Sequence, residues 1–147
     1  CRSLTGILLL FVDEEAGKNY DRNSESFYNP KISKVSVTVE GKPNQLYANG
    51  LQPYQMWDEV VKFAGNELSS LDHNSYFQSH YALWLDFRTS GDHSIHGSGR
   101  RIENASEGVT IQMEKKVEGA KQLNCYIYLL MDAQLNIQDG RFISAIY

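Results

Sequence analysis

Two cysteines, three prolines and no marked excess of charge of either sign set the first limits on this chain of 147 residues. Cys1 and Cys125 stand far apart, without the paired spacing of a zinc site or a disulfide framework, and the default compartment for such a chain is a reducing one, cytoplasm or nucleus. A net charge of −4 supplies no positive field to gather phosphates, so nucleic-acid binding by bulk charge is excluded. Long hydrophobic runs are missing too. Ile7-Leu8-Leu9-Leu10-Phe11-Val12 is six residues, whereas about 18 or more are needed to cross a bilayer, and no membrane segment is expected. Asp13-Glu14-Glu15 follows that run where a secretory signal would carry small residues. The chain opens on Cys1 rather than Met, which reads as a processed or cut piece of something longer. With no internal repeat, low-complexity tract or linker, residues 1–147 read as a single domain.

Apolar patterning is what the sequence does have. At 41% hydrophobic, with 9 Tyr, 6 Phe and 2 Trp, it can build a core without metal or disulfides. Val35, Val37 and Val39 alternate with Ser36 and Thr38, the period of a half-buried strand, and Glu40-Gly41-Lys42-Pro43-Asn44 supplies the turn that stops it. Val109, Ile111 and Met113 repeat the alternation. Residues 4–12 and 81–87 read as further strands, the second with Trp84 making its reverse side apolar. Residues 123–131 are apolar at nearly every position, which predicts a strand covered on both faces, either central in a sheet or at a subunit contact. Asp139-Gly140 between two apolar alternations predicts a closing hairpin over residues 135–147. Shorter strands are expected around 44–47 and 94–101, and residues 13–26 as one long loop.

Pro53 suits a first helical turn, and Trp57, Val60, Val61 and Ala64 recur at helical spacing up to Gly65, so an amphipathic helix packs on a sheet. A second helical turn starts at Asp72, an N-cap residue type, and runs towards Ser79. About eight short strands with one inserted amphipathic helix define an all-β chain, an antiparallel β-sandwich of jelly-roll type.

Chemical motifs are sparse. Asp92-His93-Ser94-Ile95-His96 invites a metal, but a strand would put His93 and His96 on opposite faces, and the spacing does not match metal-binding jelly rolls of the cupin kind. Gly97-Ser98-Gly99-Arg100-Arg101 lacks the length and ending of a phosphate loop; its arginines suit either a solvated turn or bidentate contacts to carboxylates of a neighbouring subunit. Cys125, inside the most apolar strand, reads as inert core. Asp58 with Glu59, and Glu114 with Glu118, are accounted for by exposed helix and strand faces, and Asn104-Ala105-Ser106 by an unmodified turn. No nucleophile-and-base motif occurs, so no catalytic residue, no metal and no cofactor is expected. Tyr47, Tyr54, Trp57, Tyr76, Phe77, Tyr81 and Trp84 gather around the helix, and core is the safer assignment for most of them.

The closing segment, from Tyr126-Ile127-Tyr128-Leu129-Leu130-Met131 through Leu135, Ile137 and Gly140 to Phe142-Ile143-Ser144-Ala145-Ile146-Tyr147, resembles the tail of the double jelly-roll major capsid proteins of large DNA viruses and Polinton-type virus-like transposons. Phe27-Tyr28-Asn29-Pro30 leading into Lys34-Val35-Ser36-Val37-Thr38-Val39, and Gly99-Arg100-Arg101-Ile102 before a paired strand, are similar in placement to Polinton-like capsid proteins. The chain departs from the pattern at Ala133, where the large-virus tail usually has Asn, and it has room for one jelly roll where the family carries two. The resemblance implies the C-terminal jelly roll of a capsid-type polypeptide. It would form homotrimeric capsomers that tile an icosahedral shell, with copies of itself and a neighbouring jelly-roll domain as partners, in a virion or capsid-like particle. The assembly-interface candidates are Arg100, Arg101, Tyr126, Tyr128, Phe142 and Tyr147. A different reading is a stand-alone jelly-roll module that binds a carbohydrate or protein ligand through Tyr and Trp side chains, and a cupin-like metalloenzyme stands a distant third.

Overall fold

Alternating apolar residues should form strands that bury one face, and this is what the computed structural model shows for the residues it describes: 3–15, 18, 26–65, 71–88, 99–102, 108–115 and 122–146. The elements in chain order are β1 (Leu4–Asp13), β2 (Ile32–Val39), β3 (Lys42–Pro43), α1 (Pro53–Ala64), α2 (His73–Ser79), β4 (Ala82–Asp86), β5 (Val109–Lys115), β6 (Leu123–Met131), β7 (Gln134–Gln138) and β8 (Arg141–Ile146). The strands form two three-stranded sheets, ordered β4-β1-β6 and β3-β2-β5, and a two-stranded β7-β8 ribbon. Every pairing between these named strands is antiparallel. Ile7, Leu9 and Phe11 of β1, Val35, Val37 and Val39 of β2, Leu83 and Leu85 of β4, and Met56 and Val60 of α1 meet in one buried cluster. Each large aliphatic side chain contributes about 1.5–3 kcal/mol there.

Both helices lie where the pattern put them. Pro53 opens α1, Gln55 Oε1 accepts the backbone N–H of Gln52 at 2.9 Å, and Gly65 ends the helix at φ 54°, a conformation that favours glycine. Asp72 caps α2 by accepting the N–H of Ser75 at 2.7 Å. That hydrogen bond holds the Asp72 carboxyl below the usual range.

Three expectations need correction. Residues 44–47 are not a strand: Gln45–Tyr47 is a 3-10 turn, because the Asn44 side chain accepts the N–H of Leu46 and caps it. β2 does stop at Val39 as expected, but the turn is Glu40-Gly41 alone, and Lys42 and Pro43 fold back on Val39 and Thr38. Glu40 and Gly41 both take positive φ, the primed turn of a two-residue hairpin, and Pro43 is tolerated because β3 is an edge strand. Nor is β6 central in a sheet, since it is the edge of β4-β1-β6. Of the strand expected at 94–101, residues 94–98 lie outside the described residues; Arg100 exchanges two backbone hydrogen bonds with Leu4, at 2.9 and 2.7 Å. The loop expected over 13–26 also lies largely outside them, and Asp13 belongs to β1.

β4 is buried on both sides, as its sequence suggested. Trp84, on its reverse face, stacks on Phe63 of α1 with ring centroids 3.9 Å apart and fills the space above Gly6. A Cβ at residue 6 would collide with the Trp84 ring, which the helix behind prevents from retreating. Gly6→Ala is therefore expected to lower stability by roughly 1–3 kcal/mol, the cost of overpacking, and a chemical-denaturation midpoint equal to that of the parent would contradict this packing.

Candidate functional site

The core face of β1 continues onto β6, where it becomes exposed. In the β1–β6 register Phe11 lies beside Cys125, Leu9 beside Ile127 and Ile7 beside Leu129, and directly paired residues share a face. Leu9 and Ile7 are 1% and 3% exposed, whereas Ile127 and Leu129 are 59% and 55% exposed. The other face of β6 carries Tyr126 and Tyr128, beside Leu10 and Leu8, and both tyrosines are half exposed. An apolar cleft of about 230 Å³ opens next to this strand, lined by Phe11, Pro30, Ile32, Met113, Leu123 and Cys125 together with Lys115. Its lining draws on both β5 and β6, an edge strand of each sheet.

The β7-β8 hairpin is a second apolar surface. Asp139 and Gly140, both at positive φ, make its turn. Ile137 pairs with Phe142 and Leu135 is two residues from Ile137, so Leu135, Ile137 and Phe142 lie on one face, all more than half exposed. The opposite face carries Asn136, whose Nδ2 donates to Ser144 Oγ at 3.1 Å. The hairpin leaves β6 through Asp132 and Ala133 alone. Asp132 is pinned: its N–H donates to Ser3 O at 3.0 Å, and its carboxylate accepts from Ser3 Oγ at 2.6 Å and from Gly99 N at 3.3 Å.

Of the interface residues expected from sequence, Tyr126 and Tyr128 share a face of β6 and Phe142 lies on the hairpin. Arg100 is held to β1 through its backbone, Arg101 is exposed beside it, and Tyr147 lies outside the described residues. Ile127, Leu129, Leu135 and Ile137 were missed, although the alternation of Leu135 and Ile137 beside polar Asn136 was visible. Cys125 also departs from expectation. It is exposed rather than core, and the partial burial of its thiol raises its pKa, which makes it a poor nucleophile at neutral pH.

Elsewhere, a cleft of about 410 Å³ lies beside α1, lined in part by Leu46, Tyr54, Asp58, Glu59, Lys62 and Arg88. Its charges are matched internally. Arg88 forks onto Asp86, Nε to Oδ1 at 3.0 Å and Nη2 to Oδ2 at 2.6 Å, and Lys62 pairs with Glu59 at 3.0 Å. The Asp86 N–H donates to Tyr47 Oη at 2.6 Å, and burial pushes the Tyr47 phenol well above its ordinary range. Asp58 is exposed, and Glu114 is exposed with Lys34 3.8 Å away. Glu118, His93, His96 and the sequon at 104–106 lie outside the described residues. Among the described residues no group of three or more His, Cys, Asp and Glu is placed to hold a metal, and no helix is long and apolar enough to cross a membrane.

The fold thus defines a mostly-β protein of antiparallel sheets with an uncovered apolar edge. No family model matches the chain, and no curated protein or solved structure matches it either.

Proposed function

We propose that this chain is a structural domain of jelly-roll type that works by self-association, as a capsid-type building block forming homotrimers, and not by catalysis. One observation carries the reading: the apolar face of β6 and that of the β7-β8 hairpin are exposed together. Soluble single chains rarely leave contiguous apolar surface beyond a few hundred Å² uncovered, and an open, uncharged edge strand is an invitation to pair. The nine residues of β6 include no charged side chain and no proline, so neither charge nor proline guards this edge. Two antiparallel sheets around one core, with a further hairpin, are compatible with a jelly roll, and the tail resemblance supplies the capsid context and the expected shell.

Light scattering over a concentration series tests the proposal. The expected result is a mass that rises to three chains as concentration increases, on this chain or on a longer polypeptide containing it. A single-chain mass at every concentration in both would contradict it and would turn attention to the cleft beside α1 as a ligand site. A ligand for that cleft would then raise the melting temperature by mass action.

A further inference from the structure

We infer that the cleft beside α1 binds a neutral, hydroxyl-rich ring, a sugar, set against Tyr54 and hydrogen-bonded by the helix stripe that follows it. This goes beyond the self-association proposed above and does not depend on it. α1 packs on β4, and β4 and β6 are opposite edges of their sheet, so the cleft lies at the edge away from β6. Helical spacing builds its polar wall. Met56 and Val60 turn one side of α1 into the core, while Tyr54, Gln55, Asp58, Glu59 and Lys62 recur at three- and four-residue steps, share a stripe and line the cleft.

Stability does not account for what lies in that wall. An ion pair taken out of water gains little over apolar residues of the same volume, yet Asp86 and Arg88 form one there with side chains 4% and 14% exposed. From Asp86 the polar groups run on through Tyr47 Oη, which accepts the Asp86 N–H, to Glu59 and Lys62. Side chains pinned in this way are pre-organised, which lowers the cost of ordering them around a ligand. Their neighbours still have hydrogen bonds to give. Gln55 spends its Oε1 on the Gln52 N–H, leaving Nε2 as a donor. Lys62 spends one ammonium hydrogen on Glu59, and the Asp58 carboxylate is exposed. Donors and acceptors on one stripe suit hydroxyls, each of which both donates and accepts. The charges select a neutral ligand: among the described residues lining the cleft, three carboxylates face two cations, with no positive surplus for a phosphate or an acid. The aromatic selects a ring. Of the aromatic residues around α1 singled out in the sequence, Tyr54 alone is exposed, at 62%. Its phenol offers a flat apolar platform with a hydroxyl at the tip, the counterpart of a sugar ring with an apolar C–H face and a polar rim. The volume of about 410 Å³ falls within the range of about 300–1,000 Å³ usual for ligand pockets.

Amide-shift and saturation-transfer NMR on the dilute chain test the site, with the methyl glycosides of glucose, galactose, mannose and N-acetylglucosamine as probes. At least one glycoside is expected to move the amides of residues 54–62. Tyr54→Ala should weaken that binding about tenfold, the scale of an aromatic contact, and Tyr54→Phe, which keeps the ring, should weaken it less. Asp58→Asn should also weaken it about tenfold, as for a hydrogen bond to a charged group. All three variants should melt with the parent, because both side chains are exposed. Cyclohexanol, a ring with a single hydroxyl, should leave these amides unmoved; shifts equal to those of the glycosides would overturn recognition of hydroxyls. Sodium phosphate moving the amides where no glycoside does would overturn the neutral ligand. No response to any glycoside up to tens of millimolar, or binding that Tyr54→Ala leaves intact, would overturn the site.

Discussion

Above about pH 10, the ordinary tyrosine value, the stability of this protein is expected to fall by as much as about 4 kcal/mol per pH unit, the slope for three protons held by the folded state and released by the unfolded one. The three are Tyr47, Tyr76 and Tyr81, all buried in the core. Burial is the largest cause of the upward shift in each, since it penalises the phenolate. Their hydroxyls have internal partners: Tyr76 donates to Ala82 O at 2.5 Å and Tyr81 to Met56 Sδ at 3.2 Å, while Tyr47 accepts the Asp86 N–H. The folded values lie above the unfolded value, so the unfolded chain loses its protons first. The stabilisation is complete below pH 10 and drains away as pH rises beyond it. Urea midpoints at half-unit steps from pH 8 to 11.5 should be flat and then drop steeply, and Tyr81→Phe should lessen the slope by about a third. A midpoint independent of pH up to 11.5 would place these phenols in water.

Replacing Arg88 by Ala is expected to cost about 3–5 kcal/mol, the range for removing one partner of a buried ion pair and leaving the other. The Asp86 side chain is 4% exposed and that of Arg88 14%, and the fork between them has two short hydrogen bonds. Asp86 also closes β4 against Tyr47, so a buried carboxylate that has lost this guanidinium disturbs the end of a strand that is otherwise all core. The double variant Asp86→Asn with Arg88→Met should recover much of the loss, because the buried carboxylate and the guanidinium that balances it are removed together. Guanidinium melts with unchanged slope give the comparison. A single variant within 1 kcal/mol of the parent would mean that water reaches Asp86 freely.

The elements legible in the sequence are those whose own residues decide them. Val35, Val37 and Val39 can only present one apolar face as a strand. Asp139-Gly140 supplies the two positive φ values a tight hairpin needs, and Pro53 and Gly65 bracket a helix whose spacing is unambiguous. Asn44 was read wrongly because a short polar-apolar stretch fits a strand and a capped turn equally well, and only the bond from Leu46 to its side chain decides. The pairing of Asp86 with Arg88 had a signal, two residues apart on one face of an extended chain, but nothing local said that the pair would be buried. For β6 the ambiguity is deeper. An apolar strand reads alike whether its faces are covered by its own chain or by a neighbour, since composition records the burial and not who provides it. Tyr126, Tyr128 and Phe142 could therefore be named from residue type, while Ile127 and Leu129 emerged only when their register against Leu9 and Ile7 was known.

Hydrogen exchange measured at low and high protein concentration tests most directly whether another copy completes this core. Amides of residues 123–131 and 134–146 are expected to gain protection together as concentration rises through the association range, while those of residues 82–86, already buried within one chain, stay constant. Association without added protection in either segment would place the contact elsewhere on the molecule and contradict the proposed role of β6 and the hairpin.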